Sequence, residues 1–212
     1  MFDWLRIRLK VRQIKKLPKE RIEKAKEIVS NLKRKPLNEE TIEKELLSSI
    51  LLTGIRAEKL NEIRKNWNHI DFTLLPEIRK SLKPCRRYKT KSKYIFYSYK
   101  KLKEFPYLID LVQKLPPSLT REIIVNQFDG IGYKNASFFL RNIGKGEDLA
   151  ILDSKIRRWL GKLDKGDYLK TEQIFKKIAK KVHLKPAVLD ALIWSLDRPI
   201  EKINQIDVFG GR

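Results

Sequence analysis

Cysteine, histidine and methionine are nearly missing from this 212-residue sequence, which holds one, two and one of them. The lone Cys85 excludes a disulfide framework and any four-cysteine zinc or iron–sulfur site. His69 and His183 are too few to build a metal centre, so none is expected. No apolar run reaches the length that spans a bilayer. The opening residues, Met1 to Arg6, carry neither the apolar core nor the small-residue cleavage site of a secretory signal, so a cytoplasmic location is expected. Alternating strands around a hairpin turn are missing as well, which leaves helical periodicity as the governing pattern. What abounds is positive charge: 48 Lys and Arg against 26 Asp and Glu give a net +22. Such an excess repels itself unless a polyanion neutralises it, which makes nucleic acid the first partner to consider and an anionic membrane surface the second. With 42% hydrophobic residues, the length suffices for one or two domains with a sizeable core.

Residues 2–16 read as a basic amphipathic helix with Phe2, Leu5, Leu9 and Ile14 as its apolar face, packed on neighbouring helices. A second helix over 20–34 places Ile22, Ala25, Ile28, Val29 and Leu32 on one side. Asn38 is the expected N-cap of a helix running to about Thr53, where Gly54 stops it. Shorter helices are predicted over 57–67 and 74–82, and another between Pro106 and Pro116-Pro117. The run from Arg86 to Lys93, with Tyr94, Ile95, Tyr97 and Tyr99 following, is the densest basic stretch. Either it is a solvated helix face or, through residues such as Arg87 and Lys89, a surface that contacts phosphates.

The chemistry concentrates in residues 118–144. A helix carrying Leu119, Ile123, Ile124 and Phe128 meets Asp129-Gly130-Ile131-Gly132, which it cannot continue through cheaply. A second helix then places Ala136, Phe139, Leu140 and Ile143 on one face, and Gly144 ends it at the C′ position. This is a helix–hairpin–helix pattern. Gly130 and Gly132 would let bare backbone N–H groups approach a phosphate, Ile131 would plug the core, and Ala136 would let the helices pack closely. The positive end of the second helix adds to such an anion site.

Lys134 lies in the first turn of that second helix, where the helix dipole disfavours an ammonium and raises the fraction of neutral amine. A Schiff-base nucleophile needs that neutral form. On chemistry alone the plainer reading, one more phosphate-contacting or solvated lysine, stands ahead of it. Asp153 follows 19 positions later, after an apolar run and before a new helix, in an N-cap setting that would fix its carboxylate. Asp153 can be a cap and nothing more. A fixed carboxylate facing an activated lysine is also the pair required to break an N-glycosidic bond. One group attacks C1′, and the other manages protons and the positive charge developing on the sugar.

Gly130-Ile131-Gly132-Tyr133-Lys134 with Asp153 resembles the helix–hairpin–helix DNA glycosylase superfamily. Within it, residues 130–144 and 150–160 are most similar to the archaeal-type 8-oxoguanine DNA glycosylase/AP lyases. The likeness extends more weakly to Arg87–Ile95 and to Leu189–Trp194. It implies an all-α fold of two helical domains flanking a cleft, one formed by 35–143 and the other by 1–34 together with 145–212. By the same resemblance Lys134 is the Schiff-base nucleophile and Asp153 the essential carboxylate, while Trp194 is an aromatic near the flipped purine. The substrate is damaged double-stranded DNA, no metal or organic cofactor takes part, and a single copy is the default working form. Members of that family end in a lysine whose terminal carboxylate reaches the pocket. Here the sequence continues through Arg198-Pro199 to Arg212, so that contact is not carried over.

Three other readings remain open at this point. A non-catalytic helix–hairpin–helix DNA-binding module explains the charge and the glycines but not the lysine–aspartate pair. A glycosylase/lyase for oxidised pyrimidines shares the chemistry, although most such relatives carry the four-cysteine cluster this sequence cannot build. A peripheral membrane protein would have to use residues 2–16. Among the remaining residues, Trp159 is expected in the core, Cys85 as a small buried residue, and the two histidines in packing or surface roles.

Overall fold

Periodicity in the sequence becomes helix nearly everywhere in the computed structural model, which describes residues 2–34, 36–52, 55, 62–105, 107–200 and 203. The helices are α1 (Phe2–Lys15), α2 (Lys19–Leu32), α3 (Glu39–Leu51), α4 (Leu75–Leu82), α5 (Tyr88–Glu104) and α6 (Leu108–Lys114). They continue as α7 (Pro117–Gln127), α8 (Tyr133–Asn142), α9 (Ser154–Leu160), α10 (Tyr168–Lys181) and α11 (Pro186–Trp194). No strand occurs among the described residues, so the fold is all-α. None of the helices described is long and apolar enough to cross a membrane.

Local chemistry explains where the helices begin and end. Asn38 caps α3, its side-chain oxygen accepting from the Thr41 amide at 2.9 Å. Proline opens α7 and α11, where a missing N–H costs nothing. At the end of α8, Gly144 takes a positive φ of 76°; its amide donates to the Arg141 carbonyl and the next amide, Lys145, to Leu140 at 2.8 Å. A side chain on Gly144 would come within 2.8 Å of the Lys33 backbone, so this turn also sets how closely α8 approaches the end of α2.

The apolar interior falls into two clusters. The first gathers α3 to α8, from Ile42 through Trp67, Ile95 and Ile124 to Phe139 and Leu149. The second joins Ile14, Ala25, Ile28 and Val29 of the first two helices to Ala150 and the helices after it, as far as Ile203. Truncating a fully enclosed member such as Phe139 or Phe175 to alanine would cost about 3–5 kcal/mol.

Two expectations need correcting. In α1 the buried side consists of Ile14 with Ile7 and Val11 packed beside it, whereas Leu5 and Leu9 are 53% and 50% exposed. Positions 7, 11 and 14 follow the helical repeat; 5 and 9 lie on another side of the helix from 14. Trp159 is only partly buried, at the rim of the second cluster, edge-on to Phe175 and with the Lys10 ammonium 4.8 Å from its ring centre. Cys85 and Trp67 are buried, while both histidines are exposed. Thr53, Gly54 and most of the helix predicted over 57–67 lie outside the described residues, of which 62–65 are helical. The tail from Glu201 onward, apart from Ile203, lies outside them too.

Candidate active site

The hairpin between α7 and α8 turns on two glycines with different jobs. Gly130 has φ +79°, a conformation that L side chains rarely adopt, and a Cβ there would stand 2.5 Å from Cδ2 of Tyr94 on α5. Gly132 has ordinary extended geometry at the N-cap of α8, and nothing lies within 4 Å of where its Cβ would be. Neither its backbone nor its neighbours within the chain require a glycine, so the bare position leaves room for something outside the chain. Between them Ile131 inserts into the first core cluster, and Ala136 is completely enclosed where α8 meets α7. The first amides of α8 have no carbonyl one turn before them, so they and the helix dipole form a small electropositive end.

Lys134 sits in the first turn of α8, half-buried. Burial pushes its amine below the ordinary lysine range, and the facing carboxylate of Asp153 pulls partly the other way. Asp153 caps α9: its Oδ1 accepts from the amides of Lys155 at 2.9 Å and Ile156 at 2.8 Å. The carboxylate is thus tied to backbone rather than free to rotate. The two residues come from helices on either side of the Lys145–Asp153 connection, and the fold brings them within electrostatic reach.

Behind this pair stand two buried ion pairs that the sequence reading did not single out. Arg121 of α7 grips Glu172 of α10 through two bonds of 2.7 and 2.8 Å, and Glu172 also accepts from the Ala150 amide. The rings of Tyr133 and Tyr168, stacked 5.5 Å apart, flank the Arg121 guanidinium. Arg141 of α8 meets Asp190 of α11 in a site closed to solvent. Burial pushes the Asp190 carboxyl up to about 7, with Arg141 opposing and the charge of Asp153 adding to the rise. One signal was available: Arg121 precedes Ile124 and Phe128 on the apolar side of its helix, and Asp190 interrupts the apolar run Pro186–Ile193.

Trp194 ends α11, half-buried. The Lys155 ammonium lies 5.1 Å from its ring centre and donates to its carbonyl at 3.0 Å, linking this aromatic to the first turn of the helix that Asp153 caps. Lys155 also pairs with Asp197 at 2.7 Å. The basic run is not uniform. Arg86, Arg87 and Lys89 are exposed, and Arg87 takes a left-handed φ of 59° just before α5, whereas Lys91 and Ser92 are buried. Tyr94, one turn further along, meets Gly130 and so sets this end of α5 beside the hairpin.

Comparison with known proteins identifies the family. A family model described as 8-oxoguanine DNA glycosylase matches residues 19–184. The chain belongs to that family. A glycosylase relative from Thermoplasma volcanium, named 8-oxoguanine DNA glycosylase/AP lyase, is 34% identical over 171 residues, 76% of this chain and 81% of that one. Among solved structures, the 8-oxoguanine DNA glycosylase of Thermotoga maritima superposes with a TM-score of 0.76 at 27% identity, covering 90% of this chain and 96% of the other. The Methanocaldococcus jannaschii 8-oxoguanine glycosylase/lyase, solved in complex with 15mer DNA containing 8-oxoguanine, gives 0.70 at 31% identity over 92% of this chain and 98% of that one. The all-helical, helix–hairpin–helix architecture of the glycosylase family is therefore the architecture of this chain.

Proposed function

We propose that this chain removes 8-oxoguanine from duplex DNA and cuts the strand at the resulting site. The observation that carries the reading is the pairing of half-buried Lys134, at the helix start after the hairpin, with the backbone-tethered carboxylate of Asp153. Similarity to relatives named 8-oxoguanine DNA glycosylase/AP lyase supports the substrate.

A base inside a duplex is out of reach, so the damaged nucleotide swings out of the stack before chemistry begins. The neutral amine of Lys134 attacks C1′, the bond from C1′ to the base breaks, and the base leaves with the bonding electrons and takes up a proton. The amine loses its protons as the sugar ring opens, giving an imine between Nζ and C1′. Removal of a C2′ proton then expels the 3′ phosphate by β-elimination, and water releases the enzyme. Asp153 stabilises the positive charge that builds on the sugar and relays protons. No step calls for a metal or an organic cofactor.

In this reading the two apolar clusters, Leu149 apart, fall to two domains, 35–143 and 1–34 with 145–212, and the base lodges between them near Trp194. The open face at Gly132, Ile131 seated below it, Gly130 and the exposed Arg87 and Lys89 hold the DNA backbone.

The deciding experiment incubates the protein with a duplex bearing one 8-oxoguanine opposite cytosine, adding borohydride to trap the imine. A covalent complex that disappears in Lys134→Gln is the expected result. Tight, salt-dependent binding with neither adduct nor cleavage on this or any other oxidised base would replace the enzyme by a binding module.

A further inference from the structure

Ala150, three residues before Asp153, has both of its backbone polar groups held by side chains of one helix. Its amide donates to Glu172 Oε1 at 3.0 Å, and its carbonyl accepts from the Tyr168 hydroxyl at 2.7 Å. Tyr168 and Glu172 stand one turn apart at the start of α10, so they face the same way. The same hydroxyl accepts from the Leu152 amide at 3.4 Å, and the Asp153 amide turns back to the Ile151 carbonyl at 2.9 Å. Every residue from Ala150 to Asp153 thus gives at least one backbone group to this set.

The far side of the set is α8. Arg121, which grips Glu172, also donates to the Ser137 hydroxyl at 3.1 Å, and that hydroxyl stands 3.5 Å from the Tyr168 oxygen. Ser137 lies on α8 one turn after Lys134. The contacts therefore close a ring, from α8 through Arg121 and Glu172 to Ala150 and back through Tyr168. Ser137, Arg121, Glu172 and Ala150 are all buried, so water is poorly placed to stand in for a missing member. Burial pushes the Tyr168 phenol up to about 12, so it keeps its proton and remains a donor.

We propose that Tyr168 is a positioning residue for base removal: by holding Ala150 and Leu152 against α8, it fixes where the Asp153 carboxylate stands relative to the Lys134 amine. The inference rests on the reading of Lys134 and Asp153 as the reacting pair. The cap bonds of Asp153 orient its carboxylate on α9 but do not set its separation from α8. The ring does. Placement of that carboxylate matters most while the bond from C1′ to the base is breaking and positive charge builds on the sugar. At a preformed abasic site there is no base to expel. The Lys134 amine adds to the C1′ aldehyde, water leaves, and the same imine results. A brace that served the fold alone would slow both reactions alike.

The test compares single-turnover borohydride trapping by saturating protein on two duplexes, one bearing 8-oxoguanine and the other an abasic site, each opposite cytosine. Tyr168→Phe keeps the ring that stacks on Tyr133 and removes only the hydroxyl. Its rate is expected to fall about tenfold on 8-oxoguanine and less than about twofold on the abasic site. In an Asp153→Asn background the same substitution should add almost nothing on the 8-oxoguanine duplex, because both changes act through one carboxylate. Rates that are unchanged, that fall by the same factor on both duplexes or more on the abasic one, or that combine additively with Asp153→Asn, overturn the inference. If Tyr168→Phe does not fold, judged by its circular dichroism melt, Ser137→Ala opens the ring on the α8 side and is read by the same criteria. Its expected loss is about threefold, confined to the 8-oxoguanine duplex. Failure of the underlying reading looks different: the wild-type chain then forms no adduct on 8-oxoguanine, or one that survives Lys134→Gln.

Discussion

Gly130 and Tyr94 stand in contact so close that a single added carbon at the glycine would lie 2.5 Å from the ring. Gly132, two residues on, has no neighbour within 4 Å. The two positions should answer differently to the same substitution. Gly130→Ala must adopt a positive φ and displace the tyrosine, with an expected loss of about 1–3 kcal/mol in urea unfolding. Gly132→Ala should leave the unfolding midpoint nearly unchanged yet weaken duplex binding measured by fluorescence anisotropy. Equal effects on stability would mean that Gly132 serves the fold rather than a ligand.

Asp153 combines a cap and a charge, and the two can be separated. Asparagine caps a helix about as well as aspartate, so Asp153→Asn should keep stability within about 0.5 kcal/mol of wild type. Its trapping rate should nonetheless fall by about a hundredfold or more, because the amide cannot hold a proton or balance a cation. A variant that stays fast would reduce Asp153 to a helix cap.

The Arg121–Glu172 pair is expected to be costly to break and cheaper to delete. Arg121→Met leaves the buried Glu172 carboxylate with only the partly exposed Lys176, 3.5 Å away, as its cation, and should destabilise the chain by about 3 kcal/mol in chemical denaturation. Combining it with Glu172→Leu should restore much of that loss, less the unpaired Ala150 amide. No recovery in the double variant would show that packing, not charge burial, dominates there.

Asp190 gives a pH signature. Its carboxyl, raised by burial from 3.8 to about 7, holds a proton in the folded chain that the unfolded chain has already released between those values. The stabilisation it contributes is therefore present in full below the unfolded value and is lost as pH rises through about 7. Asp190→Asn cannot titrate, so the urea midpoint of this variant should fall less steeply than wild type over that window. Parallel slopes for the two proteins would assign the decline to other groups.

Much of this molecule can be read from its residues because local signals and tertiary structure agree. Asn38, Gly144 and Pro186 mark helix ends in the sequence and do so in the structure. The spacing of Ala136, Phe139 and Leu140 also identifies a buried face. The stripe expected on α1, Phe2, Leu5, Leu9 and Ile14, differs from the buried one because apolar residues line more than one side of that helix, and Ile7 and Val11, not Leu5 and Leu9, share a side with Ile14. Charged partners were harder still. Nothing in the sequence around Arg121 says that its carboxylate waits at Glu172, since that pairing exists only once α7 and α10 are brought together. Lys91 was hidden for another reason: a basic run looks the same whether or not one of its members turns inward.

The two buried ion pairs also have a mechanical meaning. Both run from the α7–α8 hairpin to helices of the other cluster, α10 and α11. Prising those parts from one another would give up the bidentate Arg121–Glu172 contact and the enclosed Arg141–Asp190 contact together, along with the close packing around them. The protein is thus built like a gauge of fixed width rather than a jaw. In the proposed function, a duplex seated on it does the yielding, by bending and by releasing a nucleotide. The ease with which a given site along the helix gives way then becomes one of the properties by which DNA is sorted.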